Sequence, residues 1–186
     1  MLPQKLVHKS SSRRRPGSMS LKLLALIVLA ALSLQPALAG KLVNTPYEDP
    51  KAVFDFYFDD PRHIDSALFW LRSYMNPLME APYNLAPEFM DIVVVIHGTE
   101  IVTVAKSNQK KYAEAVGRMG YYASLGVKFR VCGLAAADYG YRVEDFQDFI
   151  EVVPSAITEL GHWQQQGHAL IAPTILHKKF SIEEIR

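Results

Sequence analysis

The stretch MDIVVVIHGTE, residues 90–100, contains an uninterrupted apolar run from Ile92 to Ile96. β-Branched residues favour strands, and a run without polar alternation is typical of a parallel strand that is covered on both faces. The run ends at His97 and Gly98, and a glycine at that point indicates a turn. We therefore expect residues 90–96 to form a buried strand of a parallel sheet.

Similar runs and helical patterns alternate along the rest of the chain. The other predicted strands cover residues 51–58, 127–131, 149–153 and 168–172. Between them, helical patterns cover residues 108–125, 134–138 and 155–166. Such alternation is typical of an α/β domain with a mainly parallel, five-stranded sheet and helices on both faces.

Another helix is predicted after the first strand, with Asp60 as its N-cap and Pro61 as its first residue. Its apolar face consists of Ile64, Leu68, Leu71 and Met75. Proline removes a backbone donor, so we expect Pro77 to end this helix.

The N-terminal segment differs in composition from the rest of the chain. Residues 1–39 contain no Asp or Glu, and their apolar run from Leu23 to Leu34 is too short to span a bilayer. Ala37 and Ala39 fit the A-x-A pattern of a secretory signal peptide, so we expect general secretion and cleavage after Ala39. Met19 opens a shorter signal of ordinary form and is a possible true start. No cysteine follows Ala39 directly, so we expect no lipid anchor.

The expected mature chain, residues 40–186, has the size of one domain, and we predict a single domain exported to the periplasm. Six of the 20 basic residues and none of the 19 acidic ones precede Gly40, so 14 basic residues oppose 19 acids and the net charge is −5. This acidic balance argues against nucleic-acid binding. The chain also lacks glycine-rich nucleotide loops, Gly-x-Ser-x-Gly and Cys-x-x-Cys, and we expect no cofactor.

Right-handed crossovers would bring the carboxyl ends of the strands to one edge of the sheet, where sites in open α/β sheets lie. The polar or reactive residues that follow the first three strands are Asp59, Asp60, His63, His97, Thr99 and Cys132. Cys132 is the only cysteine, and a helix N-terminus or a protonated histidine stabilises the reactive thiolate. Cys132 and His97 therefore form one candidate site.

Other interpretations of these residues stay open. Cys132 is either a reactive thiol or a small apolar core residue, because free cysteine is among the most buried residue types. His97 either acts beside Cys132 or only hydrogen-bonds the backbone. Asp59, Asp60, His63 and His97 could instead bind a divalent metal, but their spacing matches no strong metal motif, and we expect none.

Three separated segments resemble the DsrE/DsrF-like family. They are IVVVIHGTEI at 92–101, YYASLGVKFRVCGLAAADYG at 121–140 and EVVPSAITELGHWQQQGHALIAP at 151–173. The resemblance covers residues 51–173 and implies a three-layer α/β/α fold and trimers or hexamers. In the best understood branches it also implies a cysteine that carries a persulfide sulfur, at the position that Cys132 matches here.

The leading hypothesis is a periplasmic sulfur carrier in which Cys132 accepts a sulfane sulfur and passes it on. His97 and the helix start after Gly133 would stabilise its thiolate, and sulfur donor and acceptor proteins would be its partners. Such a protein carries sulfur stoichiometrically, without self-contained turnover. The alternative from another class is an oligomeric binding or scaffold protein with a structural cysteine.

Overall fold

The strand that contains Ile92–Ile96 lies at the centre of a five-stranded, all-parallel sheet. A computed structural model describes residues 40–186, of which Asn44–Arg186 form one folded unit. The predicted signal peptide, its cleavage after Ala39 and the alternative start at Met19 lie outside these residues. The strands are β1 (Lys51–Phe56), β2 (Asp91–Ile96), β3 (Lys128–Cys132), β4 (Ile150–Val153) and β5 (Ala169–Ile171), in the order β4-β3-β2-β1-β5.

The alternation of side chains along β2 explains its continuous apolar sequence. Ile92, Val94 and Ile96 belong to a large core on one face of the sheet. Val93 and Val95 belong to a smaller core on the other face. Because neither face meets solvent, no polar residue interrupts the run after Asp91.

Helices cover both faces, so the fold is the three-layer α/β/α arrangement that the sequence predicts. The helices are α1 (Ile64–Met79), α2 (Ala113–Ser124), α3 (Gly133–Asp138), α4 (Ala156–Gln165) and α5 (Ile182–Ile185). Leu68 of α1 and Met119 of α2 pack into the large core, whereas Leu160 of α4 packs into the small one. Within residues 40–186, no helix combines the length and the apolar composition needed to cross a bilayer.

The predicted end of the first helix at Pro77 is wrong. α1 continues through Pro77 to Met79, and the N–H of Glu80 donates to the carbonyl of Asn76. Leu78 is buried in the large core, and this apolar contact stabilises the last turn although proline cannot donate a hydrogen bond there. Asp60 is the N-cap as predicted, but a 3-10 turn at Pro61–His63 precedes the α-helix.

Candidate functional site

Four polar or reactive side chains share one face of the sheet at the carboxyl ends of β1, β2 and β3. Asp55 and Tyr57 follow Val53 at two-residue intervals, and His97 follows Val95 in the same way. Val53 and Val95 pack in the small core together with Cys132. Because side chains alternate across a strand, these residues emerge on the same side as Cys132.

His97 is paired with Asp55, a contact that the sequence did not predict. Its Nε2 atom lies 2.7 Å from Oδ1 of Asp55, and both side chains are largely shielded from solvent. A carboxylate oxygen only accepts, so Nε2 carries the proton and Nδ1 of a neutral ring keeps its lone pair. The arrangement makes His97 an oriented proton acceptor.

Tyr57 covers the imidazole of His97. The two rings stack with centroids 4.7 Å apart and an angle of 13° between their planes. The backbone N–H of His97 donates to the carbonyl of Phe56, at 3.1 Å, so the parallel pairing of β1 and β2 extends to His97. The ring of His97 is therefore held by Asp55 on one nitrogen and by Tyr57 on one face.

Glu100 is, after Asp55 and Tyr57, a third residue of the site that was not predicted from the sequence. Its side chain is fully buried, and its two carboxylate oxygens accept from the backbone N–H groups of Phe58, His97 and Gly98. Burial raises the pKa of Glu100 above its ordinary value, although these backbone donors act in the opposite direction. Glu100 thus joins the turns that follow β1 and β2.

Cys132 is the last residue of β3 and is 6% exposed. Its neighbours in the small core are Val53, Val93, Val95, Ala156 and Leu160. It also precedes the first residue of α3, Gly133, with extended backbone angles. The thiol is therefore placed as both interpretations require, at a helix start and inside an apolar cluster.

His97 directly follows β2, at the register position that matches Cys132, the last residue of the adjacent strand β3. Ile96 of β2 pairs with Val131 of β3, so the next residues along the two chains are His97 and Cys132. Within the part of the chain that the structure describes, no hydrogen bond joins their side chains, and Nε2 of His97 is directed to Asp55. The predicted pair is brought together at the level of the backbone.

A cleft of about 610 Å³ opens at this edge of the sheet beside His97. Tyr57, Thr99 and Tyr139 contribute to its walls together with His97. Ala135 also lines the cleft and packs against the small core that contains Cys132. The cleft therefore exposes His97 to a small molecule, while Cys132 lies behind its wall.

Of the acids and the histidine that follow β1, Asp59 and His63 line the same cleft as His97, whereas Asp60 does not. Asp60 accepts from the guanidinium and the backbone N–H of Arg62, and these hydrogen bonds lower the pKa of Asp60 to about 2. Nδ1 of His63 lies 3.5 Å from Oδ1 of Asp59. Among residues 40–186, no group of three or more His, Cys, Asp or Glu side chains is arranged to hold a metal ion.

Comparison with known proteins identifies a family and a similar solved structure. The sequence model of the DsrE/DsrF-like family matches residues 59–173, more than half of the chain. The structure is similar to that of MTH1491, a protein of unknown function from Methanobacterium thermoautotrophicum. The TM-score is 0.55 and the identity 21%, over 67% of this chain and 100% of that one. No curated protein matches the sequence.

Proposed function

Because the chain belongs to the DsrE/DsrF-like family, whose members are generally linked to sulfur relay, we propose that it is a sulfur carrier with Cys132 as the carrying residue. The predicted signal peptide, residues 1–39, supports a location in the periplasm after cleavage. Sulfur donor and acceptor proteins would be its partners. The three-layer fold and the family agree with this proposal, and the site supplies its chemistry.

The observation that carries the proposal is the position of Cys132 beside an oriented histidine. Cys132 ends β3, His97 directly follows β2 at the matching register position, and Asp55 holds the proton of His97 on Nε2. The free lone pair on Nδ1 makes neutral His97 a base that can take the thiol proton. The resulting imidazolium keeps a carboxylate partner, which stabilises the ion pair with a thiolate.

The loading step is a sulfur transfer without net oxidation or reduction. The Cys132 thiolate attacks the outer sulfur of a hydropersulfide donor, R–S–SH. A bond forms between Sγ and that sulfur, the donor S–S bond breaks, and the donor leaves as a thiolate with the electron pair. Attack by an acceptor thiolate on the outer sulfur of the Cys132 persulfide reverses these changes and regenerates the Cys132 thiolate.

The burial of Cys132 limits how a donor reaches it. Because the residue is 6% exposed, a donor must be small or the α3 segment must open locally. Ala135 lines the cleft beside His97 and also packs against the apolar cluster that contains Cys132. We propose that sulfur enters from this cleft.

We also propose that the chain assembles into a homo-oligomer, a trimer or a hexamer, as the family resemblance implies. Phe69 and Trp70 support this, because both large side chains of α1 are substantially exposed in the single chain. Apolar side chains of this size often become buried at subunit interfaces. Sedimentation velocity of residues 40–186 measures the assembly directly, and a monomer at all concentrations would refute it.

The test of the carrier function is intact-protein mass spectrometry. The mature protein, purified anaerobically from the periplasm, is measured before and after polysulfide treatment, with Cys132→Ser as its matched control. We expect added mass of one or more sulfur atoms that reduction removes and that Cys132→Ser never shows. A mass that stays unchanged with every sulfane donor would refute the proposal. Recovery from the cytoplasm with residues 1–39 intact would refute the location.

A second candidate function is favoured by one observation. The apolar cluster around Cys132 resembles ordinary core packing, which is the environment of an inert cysteine. In that case the protein is an oligomeric binding or scaffold protein, and its function lies on its surface. Resistance of native Cys132 to both polysulfide and small alkylating agents would decide for this candidate.

A further inference from the structure

Glu100 connects two segments that are distant in sequence. Its Oε2 atom accepts from the N–H of Phe58, at 3.0 Å, beyond the end of β1. Its Oε1 atom accepts from the N–H groups of Gly98, at 2.8 Å, and His97, at 3.2 Å, beyond the end of β2. One side chain therefore fixes the backbone that follows both strands.

Gly98 makes this junction especially close. A Cβ atom at position 98 would lie 2.5 Å from the backbone nitrogen of Phe58 and 2.6 Å from Oε2 of Glu100. Thr99 adds two further contacts, since its backbone N–H and its hydroxyl both donate to the carbonyl of Phe58, at 2.9 Å and 3.0 Å. The two turns thus meet without room for a side chain between them.

Burying a carboxylate in this space lowers the free energy of unfolding. Burial raises the pKa of Glu100, because water no longer solvates its charge. An apolar residue would avoid that cost but would leave the N–H groups of Phe58 and Gly98 without an acceptor, whereas the N–H of His97 would keep the carbonyl of Phe56. Packing alone therefore does not account for an acid here, whereas holding the donors of both turns does.

From this geometry we infer that Glu100 is a positioning residue that holds His97 against Asp55. Glu100 shares the backbone N–H of His97 with the carbonyl of Phe56 and also holds the N–H of the next residue, Gly98. Asp55 binds the Nε2 atom of His97, so the orientation of the ring depends on both carboxylates. The purpose of this positioning, a base beside Cys132, rests on the proposed sulfur-carrier function. The orientation itself can be measured without any sulfur chemistry.

The experiment compares Glu100→Gln with Thr103→Val by NMR of histidine ring protons. The amide of Gln offers one acceptor oxygen and one donor group, so it cannot accept from both sides of the junction. Thr103 is a matched control, because it is fully buried in the same 3-10 helix and its hydroxyl donates only to the carbonyl of Glu100. The readout is the Nε2–H proton of His97, which a bond to a carboxylate protects from exchange with water.

We expect a protected Nε2–H signal in the wild type and in Thr103→Val, and its loss in Glu100→Gln while the rest of the spectrum stays folded. An unchanged signal in Glu100→Gln, or no signal in the wild type, would overturn the inference. Sulfur loading of Cys132 is measured in parallel. If Glu100→Gln loses the Nε2–H signal but the wild type never loads sulfur, the positioning role of Glu100 is supported and the carrier function is refuted.

Should Glu100→Gln not fold, the wild type supplies the same test through its pH dependence. With glutamate carboxyl carbons labelled, the amide signals of Phe58 and Gly98 should titrate together with Glu100. The signal of the protected Nε2–H proton of His97 should disappear over the pH range in which Glu100 titrates. Other titratable side chains lie close to this junction and are followed in the same spectra: Asp55, which contacts His97, Tyr57, which stacks on it, and Asp59 and His63, which line the same cleft. If the Nε2–H signal of His97 persists through the titration of Glu100, the inference is overturned.

Discussion

The Nε2 atom of His97 lies 2.7 Å from Oδ1 of Asp55, although 42 positions separate the two residues in the chain. The register of β1 and β2 creates this contact, because Asp55 pairs with Val95 and His97 follows two residues later on the same face. A histidine paired in this way is oriented and has one free nitrogen.

Removing the charge of Asp55 should slow sulfur loading of Cys132. Asp55→Asn keeps the size of the side chain but no longer stabilises an imidazolium, so we expect the loading rate to fall by about tenfold or more, as for loss of a charged hydrogen bond. The measurement is the rate of mass gain with polysulfide across pH. Asp49→Asn is the control, because Asp49 is an exposed acid that does not line the cleft. Equal rates for both variants would contradict the role of Asp55.

His97→Ala should shift the pH dependence of Cys132 alkylation to higher pH. Without a neighbouring imidazolium the thiolate loses a stabilising charge, so a given rate with iodoacetamide requires a more alkaline solution. His162→Ala is the matched control, since His162 is an exposed histidine of α4. An identical pH profile in His97→Ala would remove His97 from the site.

Gly98→Ala should destabilise the fold, whereas Gly117→Ala should stabilise it. A methyl group at 98 would meet the backbone of Phe58 at 2.5 Å, and overpacking against backbone costs about 2 kcal/mol or more. Gly117 lies inside α2 with nothing near its missing side chain, so alanine there should add about 0.5–1 kcal/mol. Urea unfolding measures both changes in free energy. Similar values for the two variants would show that the junction at Gly98 can relax.

The sheet could be predicted from sequence because its signals are local. The apolar run of β2 and the polar residues after each strand predicted the strands and their order along the chain. They also predicted the edge of the sheet where Cys132 and His97 lie. The end of α1 could not be predicted in this way. The burial of Leu78 is a tertiary effect, and it outweighs the local preference of Pro77 to end a helix.

The partners of His97 were missed for a related reason. Asp55 gave a signal, since it is the one acid inside the apolar run of β1, but only the register with β2 shows that it faces His97. Glu100 gave a weaker signal, because an acid in a turn is ordinary on the surface. Its burial depends on Phe58, 42 residues earlier in the chain. Contacts of this kind follow from packing and have no local pattern.

The last prediction concerns Asp91, at the opposite end of β2. Its Oδ1 atom lies 2.8 Å from Nζ of Lys128, and its Oδ2 atom lies 3.1 Å from Nε2 of the buried His168. Nε2 of His168 has no hydrogen-bond partner among the described residues, so its contact with Asp91 is an attraction between charges only when the imidazole is protonated. Burial by itself raises the pKa of Asp91, but the hydrogen bond and charge of Lys128, with His168, outweigh it and lower the pKa below its ordinary value.

Ionised Asp91 therefore stabilises the folded state at pH values above the ordinary range of aspartate, about 4, and this contribution is lost as the pH falls through the lowered pKa. Asp91→Asn should reduce the free energy of unfolding at pH 7 and have a smaller effect near pH 3. Because the side chain is 37% exposed, solvent screens the pair and we expect at most about 1 kcal/mol. Asp49→Asn, at an exposed acid before β1, is the control for the loss of a charge. Urea unfolding at both pH values measures the difference, and an effect of Asp91→Asn that is independent of pH would show that its charge does not stabilise the sheet.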